Sequence, residues 1–262
     1  MGASPARPYA DSLLTKERIY MNTVLLCALG VGGATVIGSL IGFLFRTALE
    51  RHTGKILSLA AGIMLCAAVT NLIAPSVEGA DAIGITLAAL GIFVGAVTLY
   101  CSERVLPSVS YTEGNTRSAI LFAIAMAIHN LPEGMAAGLG FGTGDISDAI
   151  AVAVGIALHN IPEGMIAIFP MLSAGIKPLR AFLFALSGGV AEVIGTFLGH
   201  FSAGLAKPIL PFALAFAGGT MLYVVFAEMV PDSQPSGRRR VAFLVIFGYL
   251  LMLSANALIS SP

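Results

Sequence analysis

Charge is scarce in this sequence: only 11% of its 262 residues are Asp, Glu, Lys or Arg, against about 25% in an ordinary soluble domain. So few charges are not enough to coat a water-exposed surface, and a hydrophobic content of 57% points the same way. Tryptophan is absent. Cysteine is nearly so: Cys27, Cys66 and Cys101 stand far apart in apolar segments, which excludes a disulfide framework and a CxxC thiolate site. Acidic and basic residues number 14 each, so no net positive field favours nucleic acid as a partner. Glycine, by contrast, is plentiful at 30 residues, which suits helices packed closely through small side chains inside a bilayer. The composition is that of an all-α, polytopic membrane protein whose first partner is the lipid bilayer.

A helical span needs about twenty apolar residues. Eight stretches qualify, at 22–45, 55–77, 82–105, 117–141, 147–172, 179–205, 209–231 and 241–260. Residues 1–21 read as a polar N-terminal tail, without the short apolar core and cleavage site of a signal peptide, and residues 22–262 as one eight-helix transmembrane domain. Cytoplasmic loops are enriched in Lys and Arg. The breaks after the odd-numbered spans hold Arg46, Arg51, Lys55, Arg104, Arg117, Lys177, Arg180, Arg238, Arg239 and Arg240, whereas the other side holds Arg7, Lys16, Arg18 and Lys207. Both termini are therefore expected outside the cytoplasm.

Against this apolar background one polar heptapeptide occurs twice, HNLPEGM at 129–135 and HNIPEGM at 159–165. His129 falls at the midpoint of the fourth span and His159 close to that of the fifth. Within each motif the His and Glu are four residues apart, which places His129 with Glu133, and His159 with Glu163, on one helix face. Asn130 and Asn160 are turned away by about a third of a turn and offer an amide oxygen. Pro132 and Pro162 remove a donor from the helix ladder, so each helix is expected to bend where the ligands sit. Gly134 and Gly164 would admit a neighbouring helix. In the sixth span, SGGVAE sets Glu192 at similar depth.

Three carboxylates near mid-bilayer need a counter-charge, since each alone would cost about 2.5 to 3.5 kcal/mol. No Lys or Arg occupies the middle third of any span, and a bound divalent metal is the natural complement. A single HxxxE on a helix is a weak signal, and a lone buried His is as often a packing residue as a ligand. Duplication at matched depth, joined by a third acid, is what makes the signal specific. Imidazole with carboxylate and amide oxygen suits zinc first, and also Cd, Fe(II), Mn or Co. The set would serve one ion or two adjacent ones. Of lower weight are Met64 and Asn71 in the second span, as lining of an outer approach, and Glu228 and Asp232 near the cytoplasmic end of the seventh, as an exit. His200 is expected at the outer interface. The pairs Gly38 and Gly42, Gly91 and Gly95, and Gly195 and Gly199 are read as helix-packing GxxxG patterns.

The two HNxPEG motifs, SGGVAE, AEMVPD at 227–232 and LAAGIML at 59–65 resemble the ZIP (Zrt/Irt-like) divalent-metal transporter family, and within it the prokaryotic ZupT/GufA-like branch. The likeness runs over all eight spans. It implies a ZIP-type bundle with both termini extracytoplasmic, in a bacterial inner membrane, often as a homodimer, importing zinc and related ions as cargo by an elevator-like alternation. Carried over by position, His129, Asn130, Glu133, His159, Asn160, Glu163 and Glu192 would be its metal ligands. Unlike many eukaryotic members, the break at 106–116 holds no His. The alternative from the residues alone is an intramembrane zinc-dependent hydrolase activating a metal-bound water. HExxH is absent and no Ser or Cys nucleophile lies near the motifs. A bundle using metal only as a structural clamp is the third reading.

Overall fold

The computed structural model describes residues 6–47, 52–105, 116–141, 146–168, 171–172, 176–206, 210–234 and 237–259. Among these the regular structure is helical, without strands. The helices are α1 (Ala6–Leu44), α2 (Thr53–Val77), α3 (Ala82–Val105), α4 (Thr116–Gly140), α5 (Ile146–Ala167), α6 (Pro178–Ala206), α7 (Leu210–Ser233) and α8 (Arg238–Ile259). By length and composition, six segments among the described residues are fit to cross a bilayer: Glu17–Leu44 of α1, α2, α3, Pro178–Ser202 of α6, α7, and Arg238–Leu258 of α8. The apolar stretch of α5, Ala149–Met165, is shorter. Large apolar side chains such as Phe93, Phe201, Phe243 and Leu258 lie more than two-thirds exposed on the outside. An outer face of that kind is stable against lipid tails and not against water. The protein is an integral membrane protein.

α1 starts at Ala6, so the helix is already running through residues 6–21, ahead of the apolar span. Its junction with the span is anchored: the Tyr20 hydroxyl donates to the Phe141 carbonyl at 2.6 Å, and the Tyr20 ring lies against Phe141 and His200. The half-buried imidazole of His200 is thus enclosed by aromatic rings.

Two closely packed sets of helices result. α1, α4, α5 and α6 form one, through the pairs α4 with α6, α1 with α5 and α1 with α6; α2, α3, α7 and α8 form the other, through α3 with α7 and α2 with α8. The GxxxG pairs make these contacts. A Cβ at Gly38 or Gly42 would collide with the α5 backbone at Ile161 or Met165, one at Gly91 or Gly95 with α7 at Phe212 or Phe216, and one at Gly195 or Gly199 with α4 at Leu131 or Met135. Between the two sets lies the main apolar core, which includes Val31, Met64, Leu72, Ala137, Ile156, Met221 and Val225.

The prolines of the two heptapeptides do not end their helices. Helix α4 runs on through Pro132 and α5 through Pro162. The ladder changes instead in α2 and α7, which carry π segments at Ala68–Ile73 and Val225–Met229 just before Pro75 and Pro231. There the Ala74 N–H donates to the Val69 carbonyl and the Val230 N–H to Val225. One extra residue in the turn lets the ladder accommodate the missing proline donor while the helix continues.

The paired π segments belong to a wider internal repeat. GGATVIGSLIG at 32–42 in α1 and GVAEVIGTFLG at 189–199 in α6 match at a constant offset, and LAAGIML at 59–65 in α2 answers FAGGTML at 216–222 in α7. The contacts repeat with the sequence. Gly32 lies on the Gly189 carbonyl and Gly189 on the Gly32 carbonyl; Gly164 meets Thr35 as Gly134 meets Glu192; Gly248 meets Leu59 as Gly95 meets Phe216. A pseudo-two-fold axis through the α1–α6 crossing therefore exchanges α1 with α6, α2 with α7, α3 with α8 and α4 with α5. The two heptapeptides are thereby brought face to face.

Candidate metal centre

The centre is assembled from the inner faces of α4, α5 and α6, closed on one side by α1. Glu133 and His159 are each 1% exposed, Glu163 is 6% exposed, and Asn130, Asn160 and Glu192 are inaccessible. At this burial a donor or acceptor left without a partner is costly.

His159 is at the middle of the cluster. Its Nε2 lies 3.2 Å from Glu133 Oε2 across the α4–α5 contact and 3.9 Å from Glu163 Oε2, one turn along its own helix. One donor atom from each of the three residues falls within 4.8 Å of the others. Two ligand atoms bound tetrahedrally at about 2.1 Å would be about 3.4 Å apart, so adjustments of an ångström or less close the three on one cation. The i,i+4 spacing within a motif supplies one contact and the antiparallel pairing of the motifs supplies the other.

The asparagines complete the arrangement. Asn130 Nδ2 donates to Glu192 Oε1, and Asn160 Nδ2 donates to the Val31 carbonyl of α1 at 3.2 Å. With their amide nitrogens engaged, both Oδ1 atoms are buried without a donor among the described residues. Buried acceptors left this way are uncommon in proteins, and a cation is what two amide oxygens beside a carboxylate–imidazole cluster would complete. Glu192 stands next to the cluster rather than in it: the Thr35 hydroxyl lies 2.8 Å from each of its oxygens. Gly134 and Gly164 hold these distances short, since a Cβ at either would strike the backbone of Glu192 or of Thr35.

The other expected residues are dispersed. The side chain of His129 lies outside the described residues. Met64 is buried in the apolar core with Met221. Asn71, half-buried in the π segment of α2, accepts from Thr70 Oγ1 and from Asn256 Nδ2 of α8, and its own Nδ2 rests against Gly155, one turn before His159. Glu228 and Asp232 are exposed on α7, away from the cluster; Glu228 is the repeat equivalent of Asn71. Two contributors escaped the sequence reading, Thr35 and Asn256. The α1–α6 repeat was the signal for Thr35, because it aligns that residue with Glu192; Asn256 carried none.

A model of the family described as ZIP zinc transporter matches residues 107–256. The chain belongs to this family. Zinc transporter GufA of Myxococcus xanthus is 32% identical, over 89% of this chain and 97% of its own. Zinc transporter ZupT of Chlorobaculum parvum is 31% identical, over 87% and 94%, and zinc transporter ZIP11 of Xenopus tropicalis is 28% identical, over 88% and 96%. The resemblance noted in the motifs therefore extends over nearly the whole length of a ZIP protein, including the helices that carry no ligand.

Proposed function

We propose that this protein carries a divalent cation across a membrane into the cytoplasm, zinc in preference to Cd, Fe(II), Mn or Co. The observation that carries this reading is the buried convergence of Glu133, His159 and Glu163 beside two unused amide oxygens. Membership of the ZIP family and three relatives named zinc transporters support zinc as the cargo. The protein is a transporter rather than an enzyme. A hydrolase needs a general base beyond its metal ligands, and the acids of this cluster are all committed as ligands.

In this reading His129, Asn130, Glu133, His159, Asn160 and Glu163 form the binding set, with Glu192 beside it, held by Thr35 and Asn130. All eight helices cross the membrane with both termini outside, residues 1–21 lead in from that side, and residues 22–262 form the transport domain. Asn71 borders the approach beside His159, Met64 backs it from the core, and Glu228 and Asp232 receive the ion at the cytoplasmic end. The protein works as a homodimer in a bacterial inner membrane.

Proteoliposomes enclosing a zinc-reporting dye test the proposal. Uptake should be saturable, with Zn and Cd competing best among Zn, Cd, Fe(II), Mn and Co, because imidazole with carboxylate suits borderline ions. Uptake no faster than in protein-free liposomes would remove the transport reading, and competition led by Mn or Co would remove the preference for zinc.

A further inference from the structure

We infer that Thr35 of α1 is a positioning residue of the transport site, acting through Glu192 to orient the amide of Asn130 toward the ion. The inference rests on the transport reading above. Thr35 is fully buried, and its hydroxyl is 2.8 Å from both carboxylate oxygens of Glu192. A hydroxyl has one proton to give, and here it is shared between the two oxygens of one carboxylate. The second donor to that carboxylate is Asn130 Nδ2. The resulting chain runs from the Thr35 hydroxyl to the Glu192 carboxylate to the Asn130 amide, whose remaining polar atom, Oδ1, has no donor among the described residues. An amide has two ends. Fixing its nitrogen on Glu192 directs its oxygen outward, as a cation requires.

The internal repeat explains why this residue has the role. Thr35 and Glu192 are equivalent positions across the pseudo-two-fold axis, and each has its backbone pressed by the glycine of the heptapeptide opposite, Gly164 for Thr35 and Gly134 for Glu192. Two glutamates at these positions would set like charges together in a buried site. A hydroxyl in one of them supplies a donor to the carboxylate in the other. Thr35 thereby joins the second motif through its backbone to the third acid through its side chain. The neighbouring Ser39 hydroxyl is turned back on its own helix, to the Thr35 carbonyl at 2.8 Å, and does not substitute.

Zinc uptake into proteoliposomes, read as KM and maximal rate, tests this with Thr35→Val, Thr35→Ser, Glu192→Gln and the double variant Thr35→Val/Glu192→Gln. Valine keeps the volume and removes the donor, while serine keeps the donor. Losing a hydrogen bond to a charged group corresponds to a factor of about ten or more. Thr35→Val should therefore raise KM about tenfold with the thermal transition in detergent little changed, whereas Thr35→Ser should stay within about twofold of wild type. Because Thr35 acts through Glu192, the double variant should bind zinc no more weakly than Glu192→Gln alone. Wild-type KM in Thr35→Val, the same loss in Thr35→Ser as in Thr35→Val, or independent multiplication of the two defects would each overturn the inference while leaving transport intact. Absence of uptake by the wild type would instead defeat the transport reading on which it rests.

Discussion

Replacing Glu133 and Glu163 together with glutamine is expected to abolish zinc flux and leave a folded protein. Each carboxylate is buried within 4 Å of His159 Nε2, one from the facing helix and one from the same helix, so removing both takes away all the negative charge that the three-residue cluster offers a dication. Loss of even an outer-shell partner of a metal commonly costs about 10- to 100-fold in affinity, and loss of the two proposed carboxylate ligands should exceed that range. Glutamine preserves volume and hydrogen-bonding capacity, so packing of α4 on α5 is retained. Initial uptake rates at saturating zinc, beside a monodisperse elution profile, provide the measurement. Flux within about threefold of wild type in the double variant would mean that the ion passes elsewhere.

Gly134→Val and Gly164→Val break the site without touching a ligand. A Cβ at Gly134 would fall on the Glu192 backbone and one at Gly164 on the Thr35 backbone. Rigid helix backbone cannot rotate out of the way as a side chain can, so α6 or α1 must shift outward. Overpacking of this kind costs about 1 to 3 kcal/mol or more. In a helix pair assembled through small residues it also removes the close approach that drives association in lipid. Both variants should show a lower thermal transition in detergent, and the survivors should bind zinc weakly because Glu192 and Thr35 have moved off Asn130 and α5. Gly33→Val is the control, since nothing lies within 4 Å of a Cβ there. Wild-type zinc affinity in Gly134→Val would show that the helix contact does not set the site.

Helix positions were legible in the sequence because bilayer thickness fixes span length and the apolar runs are sharply bounded: α2, α3, α6 and α8 begin and end within a few residues of the stretches read from composition. The heptapeptides were legible as well, since their polarity is conspicuous in an apolar chain and the i,i+4 step makes His159 and Glu163 neighbours in any helix. How each helix accommodates its proline was not legible. Whether a helix yields at its own proline or carries on through it depends on what surrounds its backbone, and α4 and α5 are clasped by α6 and α1 at the glycine beside each proline.

By itself, the sequence determined that the protein is a helical membrane protein carrying a duplicated His–Asn–Glu motif. Those properties depend on composition and on contacts between residues four apart. Only the tertiary structure decided that Glu133 of one helix meets His159 of another, and that Glu192 is met by a hydroxyl from α1. It also decided that Met64 faces the core while Asn71 lies against Gly155 of α5. Such contacts depend on how helices far apart in the chain are paired, and that pairing is set by which glycines allow two backbones to touch.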